Sequence, residues 1–291
     1  MRAFIALSLL GVALGCFQTA PGPGPDPMTT PNPGPNPGPE PKPMKMKPFL
    51  FGVEGAWAPY SFQDSLTGKA VGFLHDVVKA ACDGCGRECD LTFIGTSLDR
   101  CYNPESMSGD GLNDRHFDAC VGWTATIPRW NVFNFSVPML TAQSAQMYVM
   151  EGSEVTADNI QGSSYKIGFR RYWYMDKFCI RRNGLDVADE NVVEIEAMDD
   201  DGWMDVAMAL ENGQIDAAVM PDGHPIAMAK NLVPLGIAVS CNFGGEIGLM
   251  HRKDVDTMWF DSCVAQMQYT SNAWYDLCSK WQVPNCIDPY A

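Results

Sequence analysis

Arg129, with Thr124 and Thr126 shortly before it, is the group of side chains in this sequence best suited to holding an anion. The three follow a short apolar run, residues 117–121, and a Gly122-Trp123 pair, within the segment FDACVGWTATIPRWNVFNFSVPML at 117–140. A guanidinium is a planar fork that makes two parallel charge-assisted hydrogen bonds to a carboxylate, and threonine hydroxyls and free N–H groups of a turn add donors beside it. The pattern predicts a strand covered on both faces at 117–121, a turn carrying Arg129, and a second strand in the hydrophobic run that follows. Other ionisable pairs, Glu54 with His75 and His116 with Asp118, read as structural. No Ser/His/Asp order, nucleotide-binding glycine loop or HExxH helix is present, so catalysis has little support and no cofactor is expected.

To hold such a group the chain must build cores, and its composition allows two. It has 291 residues, 46% hydrophobic and 19% charged, enough for two compact lobes. The net charge of -15 excludes nucleic acid and anionic membrane surfaces as natural partners. Setting Cys16 aside leaves ten cysteines, an even number that behind an export signal reads as up to five disulfides. The four histidines, at 75, 116, 224 and 251, have no ligand spacing, so Cys82-x-x-Cys85 is not read as a metal site.

Arg2 and the apolar run at 3–14 have the charged and hydrophobic regions of a secretory signal peptide, expected to span 1–20. Ala-Leu-Gly-Cys, ending at Cys16, also resembles a bacterial lipoprotein signal, which would leave Cys16 lipidated at the surface. Residues 21–48 then hold 12 of the 21 prolines. Alternating prolines favour an extended conformation, and at about 3.1 Å per residue this linker would span roughly 85 Å, the reach of a tether.

After the linker, residues 49–53 read as a strand and 61–64 as a second extended piece. Phe73, Val77, Val78 and Ala81 share one helical face, and 91–94 give the next strand. The polar, glycine-containing stretch 102–113 reads as an inserted loop. Further on, 165–169 predicts a strand, 203–210 a helix and 214–219 a strand.

Three blocks in this order, GVEGAWAPYSFQDSLTGKAVGFLHDVVKAA, FDACVGWTATIPRWNVFNFSVP and ENGQIDAAVMPDGHPIA with IGLMHRKD and WYDLCSKW behind it, resemble the type II solute-binding proteins of family 3. These are extracytoplasmic amino-acid-binding proteins related to the ligand core of ionotropic glutamate receptors. The resemblance covers about 240 residues and implies an α/β fold of two lobes, each a mixed sheet flanked by helices, with a ligand cleft between them. It implies a first lobe from 49–149 with a C-terminal return at 248–291, and a second lobe from 150–247. It also implies a Cys82–Cys89 disulfide, since several members carry one at this spacing.

Carried over by position, Arg129 matches the arginine that takes a ligand's α-carboxylate, aided by Thr124 and the neighbouring Gly122. Trp57 falls where an aromatic ring stacks on the ligand, and Asp222 resembles the acid that receives the ammonium, displaced by one residue before Pro225. One departure is pronounced. Members usually have a short Gly-Ser/Thr-Thr stretch after the first strand of lobe two, and this chain has Arg170-Arg171-Tyr172-Trp173-Tyr174. With Trp57 and Trp123, the rings of Trp173 and Tyr172 would enclose the ligand and favour a flat or cationic one by stacking and cation-π attraction. The expected partner is therefore a small molecule, an amino acid or an aromatic or quaternary-ammonium compound, bound by a monomeric secreted or surface-tethered protein and passed to a transporter or receptor.

Overall fold

The computed structural model describes residues 47–95, 98–171, 173, 177–196, 202–240 and 246–287. The expected signal peptide, Cys16, nearly all of the linker and Tyr172 lie outside them.

The chain opens with β1 (Phe49–Val53), a short antiparallel sheet of β2 (Ala56–Trp57), β3 (Ser61–Gln63) and β4 (Ala70–Val71), then α1 (Phe73–Gly84) and β5 (Cys89–Phe93). A short α2 (Asp110–Asn113) precedes β6 (Ala119–Thr124), α3 (Ile127–Val132), β7 (Asn134–Phe135) and β8 (Leu140–Thr141). The second lobe holds β9 (Ala145–Met150), β10 (Ile167–Arg170), α4 (Lys177–Arg182), β11 (Val192–Ile195), α5 (Trp203–Glu211), β12 (Ala217–Pro221), α6 (Pro225–Ala229) and β13 (Leu232–Val239). The chain returns through β14 (Glu246–His251), α7 (Met258–Thr270) and α8 (Ala273–Trp281).

Two mixed sheets follow from this order. The first runs β5-β1-β6-β14-β7, with β8 also on β14; the second runs β11-β10-β12-β9-β13. The sheets thus divide the chain between β8 and β9 and between β13 and β14, a few residues ahead of the 149/150 and 247/248 boundaries read from sequence. The reason lies in the pleat. Met147 and Val149 enter one core of the second sheet while Tyr148 enters the other, as successive side chains of a strand must.

Burial explains the strands. Phe49, Phe51 and Val53 pack under α1, α7 and α8 with Phe73, Phe260 and Trp274, whereas Leu50 lies against Phe117, Cys120 and Met250 on the opposite face. β10 and β12 behave alike, Ile167, Phe169, Ala217 and Val219 facing one core and Ala218 and Met220 the other. Helix α1 buries Phe73, Leu74, Val77, Val78, Ala81 and Cys82, the two adjacent rows that a 3.6-residue period places on one side. Its C-terminal end is cross-linked twice, Cys82 to Cys89 and Cys85 to Cys263. Cys101–Cys120 and Cys278–Cys286 are also bonded, and Cys179 is disulfide-bonded as well.

Three local features differ from the sequence reading. The strand expected at 117–121 extends through Thr124, because Trp123 and Thr124 pair with Gly248 and Ile247 of β14. Arg129 sits on a helix, α3, whose first turn carries Pro128 in the position where a missing N–H is harmless. The 102–113 insertion contains α2 and is pinned by the Cys101–Cys120 bond.

His75 on α1 is buried, and burial pulls its pKa down to about 4. Its Nε2 lies 3.1 Å from the Ser61 hydroxyl. In the unfolded chain the ring protonates near 6.5, so His75 supports folding fully above that pH and progressively withdraws the support as pH falls toward 4. At about 1.4 kcal/mol per unit this amounts to at most about 3.5 kcal/mol. The urea midpoint should therefore drop between pH 7 and pH 4.5, and His75→Gln should flatten that drop; an equal slope in both proteins would refute the assignment.

Candidate functional site

In open α/β sheets a crevice forms beyond the carboxyl ends of parallel strands where the strand order reverses, since the flanking connections leave on opposite faces there. Both sheets have such a point. In the first, β1 leads to β5 on one side and β6 lies on the other, so the crevice opens between β1 and β6. The residues at these ends are Glu54 and Thr124. In the second, β10 lies between β11 and β12, and the ends carry Arg170 and Asp222.

Arg129 reaches this place from α3 although its side chain is only 4% exposed. Its Nη1 donates to the Thr124 carbonyl at 3.0 Å, and the guanidinium lies 4.6 Å from the Trp123 ring centroid and 5.3 Å from that of Tyr102. These contacts fix the fork in a desolvated, aromatic-walled setting, where an electrostatic bond to an anion is far stronger than in water. Trp123 is thus packed into the core with Phe133 and Met250, offering one face to the guanidinium. Trp57 stacks on Tyr60 with centroids 4.3 Å apart, at the edge of the same lobe's core. Between them, Gly122 has φ +85°, and a side chain there would collide with Leu74 and Trp57.

The second lobe meets the first at Arg129, whose Nη2 also donates to the Trp173 carbonyl at 3.4 Å. The Trp173 ring stands edge-on to Trp203 at 4.5 Å, and Trp203 in turn lies 5.9 Å beneath the Arg170 guanidinium and 5.7 Å from His224. Asp222 is exposed at the end of β12, its N–H donating to the Ser144 carbonyl at 2.9 Å. The structure therefore brings Arg129, Thr124, Gly122, Trp123, Trp57 and Trp173 to one junction, with Asp222 at the corresponding strand end of the other sheet.

Sequence reasoning missed three contributors. Tyr102, at the start of the insertion, walls the guanidinium; Trp203 supports Trp173; and Glu54 adds a carboxyl group at the end of β1. Burial pushes the Glu54 carboxyl up to about 7, against the opposing pull of Arg170 first and Arg129 second. The only signal in the sequence was position, an acid immediately after the first strand. The hydroxyl of Ser61 donates to the Glu54 carbonyl, which ties this residue to the Ser61–His75 pair behind it.

A second contact crosses between lobes. Arg171 pairs with Glu105 of the insertion at 3.2 Å while also bonding Glu196 and lying 3.9 Å from Glu194. The side chain of Glu105 is 80% exposed, so the pair is worth at most about 1 kcal/mol. Glu105→Lys should loosen the lobes, raising the radius of gyration of the ligand-free protein in small-angle scattering and weakening ligand binding a few-fold, both more at low salt. An unchanged scattering curve at low salt would refute a bridging role.

Compared with curated protein sequences, the chain finds no match. Among solved structures, it is similar to a histidine kinase sensor domain with similarity to periplasmic binding proteins, at 18% identity and a TM-score of 0.61 over 82% of this chain and 97% of that one. The arginine-, lysine-, histidine-binding protein ArtJ of Geobacillus stearothermophilus aligns at 18% identity and a TM-score of 0.58, over 82% and 96% of the two chains. A periplasmic His/Glu/Gln/Arg/opine family-binding protein from Silicibacter pomeroyi, in complex with lysine, gives 18% and 0.58 over 82% and 99%. At such identities these likenesses establish the two-lobe fold alone. The sequence profile of one family matches residues 49–206, just over half of the chain and the part that carries Glu54, Arg129 and Arg170: the protein belongs to the bacterial extracellular solute-binding proteins, family 3.

Proposed function

We propose that this protein captures a small amino-acid-like solute between its lobes, with the ligand's carboxylate on Arg129 and Thr124, its ammonium at Asp222, and its body against Trp57 and Trp173. The observation that carries the reading is the Arg129 guanidinium, buried at the junction of the lobes, held by the Thr124 carbonyl and flanked by two rings. A guanidinium fixed in so desolvated a setting attracts an anion far more strongly than one in water, so it favours a carboxylate-bearing ligand and links binding to lobe closure. Export with a proline-rich tether, or lipidation at Cys16, would place the captured solute at a transporter or receptor outside the cytoplasm.

A thermal-shift screen of amino acids, betaines and polyamines on the purified protein tests this. A ligand that binds only the folded state raises the midpoint by mass action. Stabilisation by a carboxylate-bearing compound, recovered chemically unchanged, is the expected outcome. A flat response to every compound, or conversion of the compound to product, would overturn it.

A further inference from the structure

Two guanidinia are linked across the junction of the lobes, Arg129 bonding the Trp173 carbonyl at 3.4 Å, the Trp173 ring lying edge-on to Trp203 at 4.5 Å and Arg170 lying over Trp203, and that charge pattern bears on what the far end of the ligand must be. Arg129 is assigned above to the α-carboxylate. Arg170 stands at the end of β10, in the strand position that opens onto the second crevice, with its guanidinium over the Trp203 ring at 5.9 Å. Glu54 stands at the end of β1, and the charges of Arg170 and Arg129 both act on its carboxyl, that of Arg170 more strongly. Among the described residues, the next cation along this chain of contacts from Arg129 is Arg170, whose charge also acts on Glu54.

From this arrangement, and resting on the reading of Arg129 under Proposed function, we infer that Arg170 is a specificity-determining residue that takes a distal carboxylate, so that the ligand is a dicarboxylic amino acid. A distal ammonium, guanidinium or quaternary ammonium would be driven toward the buried Arg129 and the half-buried Arg170, at a repulsion cost that one carboxyl does not offset. A distal carboxylate instead meets the planar fork of Arg170 and can receive a hydrogen bond from Glu54 in its acid form. The aromatic wall then serves the arginines, as Trp123 and Tyr102 do for Arg129 and Trp203 does for Arg170, and need not select a cationic ligand.

The charged and titratable groups around Glu54, among the described residues, fix the sign of a pH effect. Arg170 on β10 and Arg129 on α3 are permanent cations. His75 on α1, joined to Glu54 through Ser61, is neutral at pH 6–8 because burial holds it near 4. Glu54 itself titrates at about 7. Two arriving carboxylates raise its proton affinity further, so binding takes up a proton and weakens as pH rises through 7, by up to about tenfold per unit. A ligand with a distal cation would act oppositely, releasing the proton and binding more tightly at high pH.

Isothermal titration of the full folded chain with L-glutamate, L-aspartate, L-arginine and glycine betaine, at pH 6, 7 and 8 and in buffers of different ionisation enthalpy, decides this. The expected result is that one of the two dicarboxylates binds at least tenfold more tightly than L-arginine or glycine betaine, with proton uptake at pH 7. Arg170→Gln should cut that affinity at least tenfold and leave the circular dichroism spectrum unchanged. Tighter binding of L-arginine or glycine betaine, proton release, an unchanged dicarboxylate affinity in Arg170→Gln, or binding by none of the four overturns the inference. If L-arginine or glycine betaine binds and Arg129→Gln abolishes it, the carboxylate reading of Arg129 stands while that of Arg170 falls.

Discussion

Arg129→Gln should reduce the affinity for the bound solute by at least a hundredfold while leaving the fold intact. The wild-type guanidinium is only 4% exposed and already oriented by the Thr124 carbonyl, so little entropy is lost when a carboxylate docks on it. Removing one partner of a buried charge pair typically costs about 2–5 kcal/mol, and about 1.4 kcal/mol is a factor of ten. Glutamine is the right replacement because its amide can still donate to the Thr124 carbonyl, keeping the strand end satisfied while removing the charge. Calorimetric titration of wild type and variant with whichever compound stabilises the protein checks the point. Equal affinities would mean that Arg129 serves only to join the lobes through the Trp173 carbonyl.

The second large effect is expected from a residue with no side chain. Gly122→Val should lower the stability of the ligand-free protein by about 2–5 kcal/mol, from two sources. The backbone there has φ +85°, which a β-branched residue adopts only with a penalty of about 1–2 kcal/mol. A Cβ would also stand 2.6 Å from Leu74 Cδ1 and 3.1 Å from Trp57 Cζ3, and overpacking of this kind costs about 1–3 kcal/mol. Leu74, on α1, is fully buried and cannot retreat, so Trp57 must give, and with it the ring against which the ligand is proposed to lie. Thermal unfolding should show a midpoint about 5–15 °C lower, given the few degrees per kcal/mol usual for a chain of this size. A midpoint within a degree or two of wild type would show that the β6 end relaxes freely.

The sequence made some of this architecture plain because burial leaves a local record. The run at 49–53, the helical face of Phe73, Val77, Val78 and Ala81, and the helix from Trp203 were all readable, since each element's period reports which of its sides is covered. The family pattern added the two lobes and drew attention to Arg129. What it could not report was the extension of β6 through Thr124, which depends on pairing with β14 more than a hundred residues later. The helix around Arg129 was hidden for a related reason. Six residues are too few to show a period, and Pro128 read as a break where it serves as a helix start.

The candidate site divides in the same way. By itself the sequence determined the chemistry available: a guanidinium after small and hydroxylated residues, tryptophans in place of a small-residue turn, and an acid beyond the strand of lobe two. The tertiary structure alone decided which of these groups share a space. Positions 54, 124, 170 and 222 are far apart in the chain and follow no common period, yet each ends a parallel strand beside a reversal of strand order. Sheet order, set by how four separate cores close, brings Glu54 under the influence of Arg170 and Arg129 and sets Tyr102 and Trp203 behind the two arginines. Such convergence is a property of long-range packing, and that is why Arg129 and Thr124 could be chosen from the sequence while Tyr102, Trp203 and Glu54 could not.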